Sequence, residues 1–516
     1  MTRPARRVVT SLLAPMLALA FVLVPARSAS ADLLCPATGA APTVTQVANN
    51  AGAATGSTDG GDFVGVQGSG FCGGILAVYF GTAPAASWRV LRDLFMSAIA
   101  PSHLAGTVDV VVATRDGLSA VSPADQFSFQ TDPAEVYVPV APRRVLDTRI
   151  TPQTPNQTIF LGMFAQGVPT IATAVTINVT VTNTLTAGAM TVFDGDGVPP
   201  SSSNLNWVTG ETVANLVTVG VESVNGEVDF FRWQFGHSDL VVDLEGYFVP
   251  SGAGSAGEFV PMAPVRITDT RLGSLEPNAG LTMTPSSTLQ VQVTTAGGIP
   301  ASGVAAVALN VTATDTTAAG YLTVFPTGAS RPLASNLNWA RAETVPNRVI
   351  VPLGTGGKVS IFNGLGDADV VVVVNGYFTD STASGVFFRL PHPEINFLRP
   401  RILDTRYGTG GVSHPLGPAS ILVVNVAAHG GVPPLGGPAS LRAVVLNVTV
   451  TDTTAPSALT AWPDGVTRPL ASDVNWAAGA TRPNLVIVQL GASGAVDLYN
   501  NAGSTDVIVD VMAWFG

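Results

Sequence analysis

The chain has 516 residues; 54 are glycine, 38 are proline, 46% are apolar and only 11% are charged. It sets 24 basic against 35 acidic side chains, has Lys358 as its single lysine, and holds no basic cluster, which argues against nucleic acid or anionic lipid as a partner. Abundant glycine and proline without amphipathic periodicity predict short strands and turns, hence an all-β protein.

In chain order, residues 1–31 read as a signal peptide. Arg3, Arg6 and Arg7 open it, Ser11 to Val24 supply the apolar stretch, and Ala29-Ser30-Ala31 is a small-residue cleavage site. That stretch falls short of the ~20 residues of a membrane span, and no later segment supplies one. Removing it takes away four arginines and no acids, leaving 20 basic against 35 acidic groups and a net charge of −15. Cys35 is not expected to carry a lipid, because Leu34 stands where processing wants a small residue. Cys35 and Cys72, the only cysteines, are expected to form a disulfide in an exported protein. The expected location is secreted or extracellular, with at most a non-covalent hold on the cell surface.

Residues 32–132 form the first expected domain. Its landmarks are Pro42-Thr-Val-Thr-Gln-Val47, the run from Gly60 to Phe71, Val78-Tyr79-Phe80-Gly81, the Ala100-Pro101 turn, Gly106 to Val112 and Ser122 to Phe129. Phe63, Gly65 and Gln67 alternate with Val64 and Val66, and Gly68 and Gly70 supply turn geometry. In this order the landmarks resemble an IPT/TIG domain. The resemblance implies a small immunoglobulin-like β-sandwich of the kind that serves as spacer or adhesive module, and no activity follows from the fold.

The rest of the chain repeats one paragraph three times. Each copy opens with Asp-Thr-Arg (147–149, 269–271, 404–406), carries Asn-Val-Thr at 178, 310 and 447, then Ser-Asn-Leu-Asn-Trp at 203–207 and 335–339 or Ser-Asp-Val-Asn-Trp at 472–476. Each closes on Gly-Tyr-Phe (246–248, 376–378) or Ala-Trp-Phe (513–515). The period is far above that of solenoid units, so each copy is domain-sized. The expected units are 133–250, 256–379 and 385–516.

Within a copy, Val175, Ile177, Val179 and Val181 share one strand face, while Thr176, Asn178, Thr180 and Thr182 share the other. This predicts one face in a core and one in water. The closing runs, such as Val370 to Val374, are nearly unbroken and predict strands covered on both sides. About eight strands per copy suit a jelly-roll-like β-sandwich; the competing arrangement closes two blades per copy into a six-bladed propeller. Val249 to Ser255 and Thr379 to Gly385 read as flexible linkers, so three separate domains are expected. The repeats are similar to tandem modules of large exported proteins of high-GC bacteria, where they accompany amidases, peptidases or adhesion domains.

Asp147 with Arg149, Asp269 with Arg271 and Asp404 with Arg406 are two residues apart and share a face, which suits structural ion pairs at the sandwich edge. Leu205 with Trp207, Leu337 with Trp339 and Val474 with Trp476 are expected inside. That places Asn204, Asn206, Asn336, Asn338, Asp473 and Asn475 outside, as paired groups able to read sugar hydroxyls. Asn215, Asn347 and Asn484 are expected in turns.

No shared catalytic acid is expected in the closing strand, because Asp243 and Asp510 correspond to Val373. The histidines 103, 237, 392, 414 and 429 occupy no common repeat position. The calcium-loop fragment Asp194-Gly-Asp196-Gly lacks its remaining ligands. No metal or cofactor is expected.

These readings converge on a secreted, non-catalytic, monomeric binding or structural protein of the cell envelope, whose repeats engage a glycan or another surface polymer. The alternatives are an inert spacer, or a polysaccharide or peptidoglycan hydrolase. Such an enzyme would need a site in one copy, with Asp194, Asp196, Glu211 or Glu245 as the places to look.

Overall fold

The computed structural model describes residues 39–516 apart from 50–51, 132–133, 151–157, 196–198, 234–236, 253–255, 392–400 and 438–439. The signal peptide, Cys35, Asp196 and His392 therefore lie outside the described residues, and the expected Cys35–Cys72 disulfide has only one end within them. No described helix is long and apolar enough to cross a membrane.

The chain is all-β. The N-terminal unit is a two-sheet sandwich. One sheet holds Thr43–Ala48, Phe63–Ser69, Phe95–Ile99 and Ser87–Arg92; the other is centred on Gly106–Thr114 and Ile75–Phe80. Val64, Val66, Phe71, Phe80 and Phe127 fill the space between them.

Each repeat is also a sandwich of two antiparallel sheets, jelly-roll-like and not a pair of propeller blades. In the second copy one sheet runs Phe259–Asp269, Asp369–Thr379, Val304–Thr314, Val345–Pro352. The other runs Thr288–Gln292, Lys358–Asn363, Gly320–Pro326, Leu337–Trp339. Alternation fills the core as expected: Val307, Leu309 and Val311 face Val324, Leu337, Trp339 and Ile361. The unbroken run Val370 to Val374 is buried on both faces.

The expectation of three separate domains is corrected. The copies close into one ring about a pseudo-threefold axis. The polar strand face predicted to be wet is buried against the next copy: Thr176 is 0% exposed, Asn178 1% and Thr180 4%. The Asn178 amide donates to the Ser335 carbonyl at 2.6 Å, Asn310 to Ser472 at 2.6 Å, and Asn447 to Ser203 at 2.9 Å. First copy holds second, second holds third, and third holds first. A strand face buried against a polar partner shows the same alternation as one facing water, so sequence periodicity could not tell them apart.

At one end of the interface six aromatic side chains form a closed circuit. Tyr137 stacks near Phe378 (4.4 Å between centroids), Phe259 near Phe515 (4.4 Å) and Phe388 against Phe248 (3.6 Å). Within-copy contacts Tyr137–Phe248, Phe259–Phe378 and Phe388–Phe515 complete it. All six are at most 2% exposed, and burying each ring contributes about 2–3 kcal/mol. The glycine of the closing motif makes room: a Cβ on Gly246 would lie 2.2 Å from the Tyr137 hydroxyl oxygen. Copies one and three also join one nine-stranded sheet through Phe388–Arg389, where Phe388 pairs with Glu135 on one side and Phe515 on the other.

The described residues of the segments read as linkers are part of this body. Val249 and Pro250 end the strand Asp239–Pro250. In the second segment, the Asp380 N–H bonds the Gly303 carbonyl at 3.1 Å and the Gly385 N–H bonds Glu258 Oε2 at 2.6 Å. The N-terminal sandwich touches the ring through Arg389 Nη1 and Asp59 Oδ2 at 3.3 Å.

Candidate functional site at the repeat junctions

The three tryptophans are core residues, as alternation predicts: Trp207 and Trp339 are 4% exposed and Trp476 5%. Each indole N–H reaches a carbonyl, of Thr186, Ala318 and Ala455, at 3.0–3.1 Å.

The amide pairs do not point outward together, which corrects the expectation for half of them. Asn204, Asn336 and Asp473 are 1–2% exposed. Each stands just before the three-residue strand that contains the tryptophan, so strand alternation does not govern it. Its side-chain oxygen instead extends the neighbouring ladder, accepting the N–H of Val192, Val324 and Ala461 at 2.7–2.8 Å. The second members, Asn206, Asn338 and Asn475, are half-buried.

Those three converge on the axis, at the opposite end of the strand Val213–Gly220 from the aromatic circuit. There they line a cavity of about 40 Å³, enough for one or two waters, together with Glu211, Glu343 and Arg482. Arg482 occupies the place of Val213 and Val345 in the other copies. Its guanidinium pairs with Glu211 and lies 3.4 Å from Glu343. Glu211, named as a possible catalytic acid, is thus held by a cation. Asn215, Asn347 and Asn484 lie at the same interface and are not turn residues. They donate to the carbonyls of Asn204, Asn336 and Asp473, and two of them accept an N–H from another copy: Leu485 onto Asn215 and Leu216 onto Asn347.

Charge is buried in this interface as well. Glu245 is 0% exposed; its Oε1 accepts the Asn336 amide at 2.6 Å and its Oε2 the Ile350 N–H at 3.2 Å. Desolvation pushes its pKa up to about 8, so the carboxyl is protonated at neutral pH. Arg348 stands where the other copies have Leu216 and Leu485, and meets Asp473 at 2.8 Å with both groups buried.

Around the outside of the ring the opening motifs form a repeated arrangement. The expected ion pairs are present: Arg271 Nε and Nη2 grip Asp269 at 2.9 and 2.7 Å, Arg406 grips Asp404 at 3.0 and 2.8 Å, and Arg149 grips Asp147. Arg149 holds the Asp147 carboxyl down at about 2. Sequence reasoning missed a second arginine three residues before each acid, although Arg144, Arg266 and Arg401 recur in register. Arg144 bonds Asp147 and Asp243, and Arg401 bonds Asp404 and Asp510, each with Nε on the closing-strand acid at 3.1 and 2.9 Å. Arg266 and Arg401 face clefts between copies, walled by the threonine ladder of one and by the Ser-Asn loop of the next.

No family model matches the chain, and no curated protein matches it. Among solved structures it is similar to the SGBP-B of a complex xyloglucan utilization locus in Bacteroides uniformis, at 12% identity over 66% of this chain and 99% of that one, TM-score 0.14. It is also similar to the Bacteroides ovatus mixed-linkage glucan utilization locus SGBP-B in complex with a mixed-linkage heptasaccharide (11%, 64% of this chain, 74% of that one, TM-score 0.15). A third match is a triple jelly roll protein of an archaeal virus turret assembly (11%, 74%, 91%, TM-score 0.15). At TM-scores this low the likeness carries no argument about what the chain binds.

Proposed function

We propose that this is an extracellular, non-catalytic glycan-binding scaffold, in which an N-terminal IPT/TIG-like module is carried by a rigid ring of three jelly-roll-like sandwiches. The observation that carries the reading is the repetition of one cleft design at the junctions between copies: an arginine pair, a threonine ladder and a half-buried amide. Such groups match sugar hydroxyls and ring substituents, and a repeated polymer suits a repeated surface. Residue-level support therefore rests on the junction clefts and no longer on outward-facing amide pairs. Glu211 is paired with Arg482, and Glu245 is sealed in the interface as a neutral acid, so neither is placed to work on a substrate from a cleft.

The test is retention of the mature chain on insoluble cell wall, chitin and cellulose; failure to bind any of them sinks the proposal. Turnover of labelled cell-wall polymer that vanishes in Glu211→Gln would establish the hydrolase reading instead.

A further inference from the structure

The three junctions between copies are not equivalent. In the first copy Asp147 and Asp243 neutralise Arg144 and Arg149; in the third, Asp404 and Asp510 neutralise Arg401 and Arg406. In the second copy the closing-strand acid is replaced by Val373, which is 2% exposed. Arg266 keeps Asp269 at 2.7 Å and the Leu470 carbonyl at 2.6 Å, but its buried Nε has no hydrogen-bond partner among the described residues.

The facing loop adds a third cation. Arg468 lies 3.6 Å over the ring of Tyr499, as Arg331 of the second copy lies 3.6 Å over Phe362; the corresponding residue of the first copy is Pro199, so the extra cation meets an arginine pair lacking its closing-strand acid only here. Asp269, and at longer range Asp315 and Asp369, keep Arg271 charged, but among the described residues no second carboxylate is bonded to the arginines of this cleft. On the same wall Asn475 has a buried Oδ1 without a donor, whereas Asn206 and Asn338 accept the hydroxyls of Ser203 and Ser335 at 2.7 and 3.0 Å. The cleft holds about 250 Å³, against about 130 Å³ for its counterpart between copies three and one, and approaches the ~300 Å³ at which small-molecule sites begin.

We infer that the cleft between the second and third copies binds an acidic saccharide, with Arg266, Arg271 and Arg468 receiving its carboxylate and Asn475 accepting a ring hydroxyl. This rests on the glycan-binding reading and narrows it to one site and one ligand class. An oxyanion supplies the charge that Val373 removed from the repeat pattern, and planar guanidinium groups meet a carboxylate through paired hydrogen bonds.

The probe is trigalacturonic acid, titrated calorimetrically into the mature chain at low salt, with its methyl ester and sodium acetate as comparisons. The expected result is a Kd of about 1 mM or tighter for the acid, and binding at least about tenfold weaker for the ester and for acetate. Val373→Asp restores the residue type that two copies already tolerate, and Arg468→Ala removes an exposed cation; each is expected to weaken the acid about tenfold or more. Equal binding of ester and acid, equal binding of acetate, or full affinity in Arg468→Ala overturns the assignment, as does full affinity in a folded Val373→Asp chain. Retention on neutral polymers without any trigalacturonate binding overturns the cleft assignment alone. Loss of both overturns the glycan-binding reading with it.

Discussion

Glu245→Gln tests the buried interface through pH. The native carboxyl titrates near 8 because it is sealed between Asn336 and Ile350, while the unfolded chain returns it to about 4.5. A raised acid pKa means the native state still holds a proton that the unfolded state has lost. The stabilisation is therefore fully present below pH 4.5 and drains away as pH rises to about 8. At about 1.4 kcal/mol per pH unit, the interval amounts to about 5 kcal/mol. Glutamine cannot ionise, so it removes this slope; it also turns one acceptor into a donor, which costs about 1 kcal/mol at every pH. The variant should thus be slightly less stable than the parent at pH 4.5 and several kcal/mol more stable at pH 9. Urea unfolding of both proteins at pH 4.5, 7 and 9 measures the difference directly, since every other titrating group is common to both. A variant-minus-parent difference that stays constant across that range would refute a buried, protonated Glu245.

Three further outcomes follow from the ring. Asn178→Ala, Asn310→Ala and Asn447→Ala should each cost about 1 kcal/mol in urea unfolding, because each removes a hydrogen bond to a half-buried residue of another copy; surface threonine substitutions would show almost nothing. Arg348→Leu should cost about 3–5 kcal/mol by stranding Asp473, and adding Asp473→Asn should recover most of it, since leucine and asparagine are what the other copies carry there. Limited digestion with thermolysin or proteinase K should spare residues 379–385, whose backbone is bonded into Glu258 and Gly303; rapid cleavage there into domain-sized pieces would speak against a closed ring.

The repeat, the strand faces and the inward tryptophans were legible because each is a local pattern that copies confirm for one another. Ring closure was not, because a strand shows the spacing of its faces and never what lies opposite them. The Thr176, Asn178 and Thr180 face carries the composition of a solvated surface although it is buried. Asn204 was misplaced by extending alternation one residue beyond the strand that begins at Leu205. Other signals were present and unused. An arginine three residues ahead of every opening Asp pointed to a two-armed clamp. Tyr137 and Phe259, each ten residues ahead of that Asp, pointed to a shared packing role for an aromatic at the start of the first two copies; in the third, Phe388 stands sixteen residues ahead.

Arg482 shows what joining three copies in one polypeptide makes possible. In a trimer of identical subunits, whatever one chain brings to the axis arrives in triplicate, so a cation there meets two more cations. Here the copies differ: the third carries arginine where the others carry valine, the first two carry Glu211 and Glu343, and a single positive charge sits between two negative ones. The same freedom let Val373 replace an acid at one junction alone. Covalent linkage thus turns a symmetric architecture into three addresses that selection can edit separately.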